Sequence, residues 1–411
     1  MKVAEVLRNR HFDIYWGGVV LSQIGSRGTI AANLYQVYEL SGSVAQTGLV
    51  GAAQVAALVV LSPLGGVYAD RVDRRKLLQW AQAVAMVVAV ALAATSFTGH
   101  ADVLQVVTSV VLTTAAASFD QPARQALIPA LVPRAQLPQA FALLNPSREL
   151  AVLLGPAVAG VLIAVSGPGM MYAVDAATYL LLMVTLAVLR IPELPVSGAN
   201  VPLRVQFTQG VRFVLGRRIV SQMVLLDLVA TVFAAYRVLL PALAVNRFHL
   251  GATAYGLLSA APSAGALLAT YTVFRVVDRS KRLGRVLLYS TIAYGLSAVL
   301  LAYANALLIA LLACLLLGVF DAMATTIRQA AVQLETPDDM RGRVSAIYQM
   351  ASRGGPALGD TVIGGVAAAI GPVLALMIGG LATVAFAIGH FGRSNPVRKY
   401  ARAQAEEPTQ A

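Results

Sequence analysis

Apolar residues run through this chain in long blocks, and polar residues punctuate them. A helix that crosses a bilayer needs about 20 mainly apolar residues. Twelve such blocks can be marked: 12–39, 44–69, 77–98, 103–130, 138–165, 169–190, 219–246, 253–277, 284–304, 306–334, 342–370 and 372–392. Most connections are very short, such as LSGS at 40–43 and SGPG at 166–169, so consecutive spans are expected to be antiparallel neighbours. The pattern predicts an all-α membrane protein of twelve transmembrane helices, spans 1 to 12.

Three segments depart from that rhythm. The longest interior connection, 191–218, opens IPELPVSGANVP and joins spans 6 and 7. Within it Leu203, Phe207, Val211 and Val214 recur at helical spacing, with Arg204, Thr208 and Arg212 on another face, which predicts an amphipathic helix on the inner membrane surface. The final ARAQAEEPTQA is polar and is expected to be disordered. The opening MKVAEVLRNRH has the basic character of a signal-peptide start. The block after it is too long for a cleaved segment and lacks a clear cleavage site, so it is expected to be a retained first span.

Composition strengthens the membrane reading. Hydrophobic residues make up 58% of the 411 and charged residues only 12%, against about a quarter charged in soluble domains; mean hydropathy is +0.73. The net charge of +12 sits in short clusters between apolar blocks with no aromatic interleaving, which argues against nucleic acid as a partner. With loops numbered alternately inside and outside, Arg247 is the one Lys or Arg in an outside loop or helix end. Arg27, Arg124, Arg148, Arg237, Arg328 and Arg353 fall within spans, and the other basic residues lie inside or on the termini. That segregation predicts an even number of spans with both termini in the cytoplasm.

Catalytic chemistry is not indicated. Cys314 is the single cysteine, and His11, His100, His249 and His390 are scattered. The sequence shows no Ser–His pair, no metal-ligand spacing and no phosphate-cradling glycine loop with lysine. No cofactor and no metal are expected, and without an ATPase motif the work must be driven by gradients.

The two halves repeat. TGLVGAAQ…ADRVDRRK from 47 aligns with YGLLSAAP…VVDRSKR from 255, pairing Gly48 with Gly256 and Asp70 with Asp278. FDQPARQALIPALVP…SRELAVLLGPAVAG from 119 aligns with FDAMATTIRQAAVQLETP…SRGGPALGDTVIGG from 320. The expected organisation is a six-helix bundle at 1–190, a linker at 191–218, a second six-helix bundle at 219–393 and a disordered tail at 394–411. Parallel six-helix repeats are the pattern of a secondary transporter whose substrate site lies at the midplane.

At these residues the chain resembles the major facilitator superfamily, over all twelve spans. The hairpin GGVYADRVDRRK supplies Gly66, Ala69, Asp70, Arg71, Arg74, Arg75 and Lys76 of the superfamily's cytoplasmic signature, with Asp73 where a glycine is usual. LLGPAVAG on span 5 supplies Gly155, Pro156 and Gly160 of a signature found in proton-driven exporters, with Ala159 at a position often glycine. QVYELSGSVAQTGL, AYRVLLPALAVNRF and the FDxPARQALIPALVP pattern resemble the enterobactin-exporter branch, and multidrug exporters share the last. The resemblance implies a proton-coupled antiporter that exports an amphipathic small molecule such as a catecholate siderophore. A multidrug exporter and an uptake symporter are the alternatives. The expected partners are substrate, protons and lipids, and the chain is expected to act as a monomer.

Buried charge points to candidate sites, because each intramembrane ion is costly without a partner. The resemblance places spans 1, 4, 7 and 10 around the cavity. Arg27 and Arg237, near the midpoints of spans 1 and 7, are candidate anion ligands or members of structural ion pairs. Tyr35, Phe233 and Tyr236 are candidate cavity aromatics. Asp227 is the first candidate for proton coupling, Glu149 the second and Asp321 the third, while Asp175, near the outer end of span 6, is expected to reach water. Asp120 with Arg124, and Asp321 with Arg328, share helix faces toward the cytoplasm and are assigned to gating. The resemblance adds Gly66, Asp70, Arg71, Arg74 and Asp278 as a latch in which Asp70 caps span 11. Gly155 and Pro156 are expected to bend span 5 as part of a gate.

Overall fold

In lipid every backbone polar group must be satisfied within the protein, so an apolar block becomes a helix. The computed structural model describes residues 9–133, 136–189, 203–280, 282–337, 340–392 and 395–400, without side chains at 62–71 and 270–279 and at scattered helical positions. The helices are α1 Arg10–Ser41, α2 Val44–Arg71, α3 Arg74–Phe97, α4 Val103–Leu131, α5 Leu137–Ser166, α6 Pro168–Val188, α7 Leu203–Gly216, α8 Arg218–Phe233, α9 Gly251–Arg279, α10 Leu283–Tyr303, α11 Leu307–Leu334, α12 Arg341–Ile370, α13 Pro372–Gly389 and the single turn α14 Pro396–Lys399. Among the described residues nine helices are long and apolar enough to cross a membrane. Spans 1, 5 and 11 complete the twelve as α1, α5 and α12. Hydroxyls inside the spans fold back on their own helices: Thr231 donates to the Asp227 carbonyl, Thr291 to Leu287 and Thr383 to Gly379. Large apolar side chains such as Trp80, Leu104 and Leu308 are exposed, as a lipid-facing surface requires.

Contacts divide the chain into two compact units. The first is Met1–Gly42, Ala53–Asn200 and His249–Ala260; the second is Ser43–Ala52, Val201–Phe248 and Ala261–Ala411. In the first unit α1 packs on α4, α5 and α6, α3 packs on α4 and α6, and α5 packs on α6. In the second, α8 packs on α11, α12 and α13, α10 packs on α11 and α13, and α12 packs on α13. The repeat seen in the sequence is therefore also a repeat of packing: each pair in one unit has its counterpart in the other. The first turns of α2 belong to the second unit, and those of α9 to the first.

Three local features differ from the expectation. Span 7 is not one helix: α8 stops at Phe233, and the chain resumes as short turns at Arg237–Leu239, Leu240–Ala242 and Leu243–Arg247, the last with π-type bonding. Pro241 explains the break, since it donates no hydrogen bond and its ring clashes with the carbonyl four residues earlier, that of Arg237. The linker helix α7 forms as expected, but Gly210 and Val214 are buried and Gly210 lies against Arg343 and Ile347 of α12. Only part of its apolar surface, including Phe207 and Leu215, is left for the membrane surface. Residues 396–400 are folded rather than disordered. Val397 and Tyr400 are buried in a cluster with Val220, Leu283 and Leu287, and the Gly284 amide donates to the Tyr400 carbonyl at 3.1 Å. Residues 401–411 lie outside the described set.

The arginine expected on the outside also has local partners. Arg247 donates to the Ala302 carbonyl at 2.8 Å and to Asn305 at 2.7 Å, capping the C-terminal end of α10 where cations are favoured.

Candidate functional site

In the first unit α1, α3 and α4 bring polar groups together. Arg124 Nε lies 2.5 Å from Asp120 Oδ2, and both residues are buried. Gln82 donates to Asp120 Oδ1 at 2.6 Å, and Arg124 Nη2 donates to Ser22 Oγ at 3.1 Å. Four residues is one helical turn, so the Asp120–Arg124 pairing was readable from spacing; Gln82 and Ser22 were not.

In the second unit the geometry is denser. Arg328 of α11 is buried with its Nη2 at 2.5 Å from Asp227 Oδ1 of α8 and 3.9 Å from the half-exposed Asp321. Asp227 Oδ2 has no hydrogen-bond partner among the described residues. Just past the break in span 7, Arg237 Nη2 pairs at 2.5 Å with Asp360 Oδ2 of α12; the arginine side chain is 37% exposed and the aspartate 3%. Tyr236 lies within electrostatic reach of Arg237, Asp321 and Asp360. The half-exposed carboxylate of Asp321, the part-exposed Arg237 and the interrupted helix come together around Tyr236. A broken span leaves backbone groups free to bind, which is how transporter sites are commonly built. Asp360 was missed because nothing in its neighbourhood, RGGPALGD, announces a partner on span 7.

The other predicted residues are placed as follows. Arg27 is half-buried on α1, where its backbone passes Gly155 of α5 so closely that a Cβ at Gly155 would meet it. Helix α5 continues through Pro156 without interruption. Tyr35 is buried, its ring 5.4 Å from that of Tyr255. Phe233 ends α8 with an exposed side chain. Arg74 opens α3. The side chains of Gly66, Asp70, Arg71, Glu149 and Asp278 lie outside the described set. Asp175 is the clear correction: it is fully buried, and Thr29 of α1 donates to its carboxylate at 2.6 Å. Rotation about the axis of α6, not depth in the membrane, decides where this side chain points.

The signature's unusual Asp73 has a structural role. It is the N-cap of α3, its carboxylate accepting from the Arg75 amide at 2.9 Å and the Lys76 amide at 3.4 Å. Replacing an aspartate cap by alanine costs about 0.5–2 kcal/mol, and by glycine a few tenths. Thermal unfolding in mild detergent is therefore expected to rank wild type and Asp73→Gly close together and Asp73→Ala below both.

Known proteins complete the picture. Residues 4–409 match the family described as transmembrane secretion effector. The chain is 29% identical over 350 residues to the enterobactin exporter EntS of Citrobacter koseri, covering 85% of this chain and 83% of that protein. It is 28% identical to EntS of Salmonella typhimurium, covering 85% and 84%. Its backbone matches the nucleoside transporter NupG with a TM-score of 0.74 at 15% identity, over 93% of this chain and 98% of that one. It matches the peptide transporter POT with a TM-score of 0.74 at 11% identity, over 97% and 100%. These structures share the major facilitator fold with it. The protein is a multi-pass membrane transporter of a small molecule and not an enzyme.

Proposed function

The chain belongs to the transmembrane secretion effector family, and on that premise we propose that it exports a catecholate siderophore of enterobactin type from the bacterial cytoplasm in exchange for protons. The observation that carries this reading is similarity to enterobactin exporters across 85% of the chain. The chemistry at span 7 supports it. Arg237, paired with Asp360 and part-exposed, sets a guanidinium at the break in span 7, a group that suits a catecholate oxygen. Phe233 and Tyr236 flank the break and offer aromatic faces to a catechol ring. Arg27 and Tyr35 supply the corresponding groups on span 1.

Proton coupling requires an acid whose charge changes through the cycle. Asp227, Glu149 and Asp321 are the acids named by the sequence. Pairing gives Asp227 a second part, that of a lock: its carboxylate holds Arg328 and so ties α8 to α11. Asp120 and Arg124 form the comparable lock in the first unit, and Gly66, Asp70, Arg71, Arg74, Asp278, Gly155 and Pro156 complete the gating set. The protein works as a monomer in the inner membrane, with both termini cytoplasmic as the distribution of Lys and Arg favours.

Proteoliposomes holding the purified full chain test this. Enterobactin is expected to move against its own gradient when a pH gradient is imposed, in the direction opposite to protons, and to stop when a protonophore is added. Flux in the same direction as protons would make the protein a symporter. Competition by lipophilic cations but not by enterobactin would make it a multidrug exporter.

A further inference from the structure

Four aspartates are buried among the described residues: Asp120, Asp175, Asp227 and Asp360. Three of them face an arginine at 2.5 Å. Asp175 faces hydroxyls instead. Thr29 Oγ1 donates to its Oδ2 at 2.6 Å, and Thr178 Oγ1 lies 3.4 Å from its Oδ1 while bonding the Asp175 carbonyl at 2.7 Å. Tyr179, one turn on along the same face, shares a hydrogen bond of 3.0 Å with Ser26. Gly25 of α1 presses on this carboxylate: a Cβ there would meet Asp175 Oδ1 at 2.5 Å.

The difference in partners is a difference in chemistry. Arginine can only donate, so it stabilises the carboxylate and works against protonation. A hydroxyl donates to a carboxylate and accepts from a carboxylic acid, so Thr29 can partner Asp175 in either state. An unpaired carboxylate at this depth costs several kcal/mol, whereas the acid form does not. Asp175 is thus built to hold a proton and to surrender it when its surroundings change.

The packed elements leave few competing charges. From α1 come Ser26 and Thr29, and the neighbouring cation on that helix is Arg27, whose Cβ lies against Gly155 of α5. The membrane part of α3, Leu77–Phe97, carries no ionisable residue. On α5 the ionisable residues are Arg148 and Glu149, and on α6 itself Tyr172 and Tyr179. Arg124 of α4 is the cation within electrostatic reach, already paired with Asp120.

A polar lane leads to the site. Ser22, Ser26, Thr29, Asn33 and Gln36 recur on α1 at alternating spacings of four and three, one helix face, over about 21 Å. Four of them are buried and Ser26 is half-buried. At one end Ser22 meets Arg124 and Gln82; at the other Gln36 accepts from Tyr172 at 2.7 Å and donates to Ser96 at 2.9 Å. Asn33 Oδ1 has no hydrogen-bond partner among the described residues.

We propose that Asp175 is the carboxyl that carries the transported proton, reached along this lane, and that the arginine-paired Asp227 is a lock and not the carrier. The inference rests on the proton-coupled reading above. A proton entering from outside binds one carboxylate oxygen of Asp175 and leaves to the cytoplasm, with no other bond made or broken.

Two measurements on the reconstituted full chain test it. Infrared difference spectra across a pH step are expected to show a carboxylic-acid carbonyl band that is lost in Asp175→Asn and kept in Asp227→Asn. In proteoliposomes Asp175→Asn is expected to lose enterobactin transport driven by a pH gradient while keeping enterobactin exchange at equal pH. A titrating band that survives in Asp175→Asn, or gradient-driven transport by that variant, overturns the inference alone. A wild-type protein whose flux ignores the gradient overturns the coupling reading and this inference with it. Should Asp175→Asn fail to fold, Thr29→Val keeps the carboxyl and removes its partner; a shifted band and a displaced pH midpoint for transport support the inference, and an unmoved band and midpoint overturn it.

Discussion

Arg328→Met is expected to destabilise the protein by about 3–5 kcal/mol, the usual loss when one member of a buried ion pair is removed. Arg328 is almost wholly inaccessible and lies 2.5 Å from Asp227, which is buried as well. Methionine fills much of the same volume, so the loss measures charge and not a cavity. What remains is a carboxylate with one oxygen already lacking a partner among the described residues and the other now deprived of its own. The second substitution separates the terms. Asp227→Leu together with Arg328→Met removes both charges, and replacing a buried pair by apolar groups is often close to neutral. Thermal unfolding in mild detergent is therefore expected to place the double variant well above Arg328→Met. If the single and double variants unfold together, the pair contributes little and its role as a lock fails. Asp321, at 3.9 Å and half-exposed, gives the arginine a second, weaker partner, so Asp321→Asn is expected to change stability far less.

What the sequence disclosed follows the physics that acts on it. Lipid demands uninterrupted apolar helices, so the apolar blocks bound the helices to within a few residues: 103–130 became Val103–Leu131, and 284–304 became Leu283–Tyr303. The break in span 7 was invisible to hydropathy, because Ala234, Ala235 and Leu239 are as apolar as any helix. Its signal was Pro241, four residues after Arg237. Partners one turn apart could be read from spacing, as Asp120 and Arg124 were. Partners on different helices could not, which is why Asp360 was missed beside Arg237. Asp175 was misplaced for a related reason: distance from the end of a span does not tell which way a side chain faces. The alternating polar positions on α1 were a legible sign that one face of span 1 avoids lipid, and Thr178 and Tyr179 beside Asp175 pointed the same way. The capping carboxylate of Asp73 could likewise be recognised only once the start of α3 was known.

Gly256→Leu and Gly48→Leu are expected to abolish export by the same route. In the first unit Gly160 of α5 and Gly256 of α9 meet backbone to backbone, since a Cβ on either would strike the Cα of the other. In the second unit Gly48 of α2 and Gly364 of α12 cross less tightly: a Cβ at Gly48 would lie 3.1 Å from the Asp360 carbonyl oxygen and 3.3 Å from Gly364 Cα, and one at Gly364 would lie 2.9 Å from Gly48 Cα. The sequence repeat pairs Gly48 with Gly256, and the packing repeat pairs α5 with α12, so these are two copies of one device. Each brings the first turns of a half's second span against the fifth span of the other half, and a transporter that alternates its access must make and break such crossings in every cycle. A leucine at the crossing forces the helices apart, and overpacking of this kind costs about 1–3 kcal/mol. Because each 1.4 kcal/mol is about a tenfold change in an equilibrium, the state that contains the crossing becomes rare while the fold survives. Enterobactin export from proteoliposomes is expected to fall by about tenfold or more in either variant, with Gly256→Ala intermediate and unfolding temperatures close to wild type. Gly365, which has open space around it, serves as the control: Gly365→Leu is expected to leave export unchanged. Full export by Gly256→Leu, or loss in Gly48→Leu alone, would break the equivalence of the two crossings on which the expectation depends.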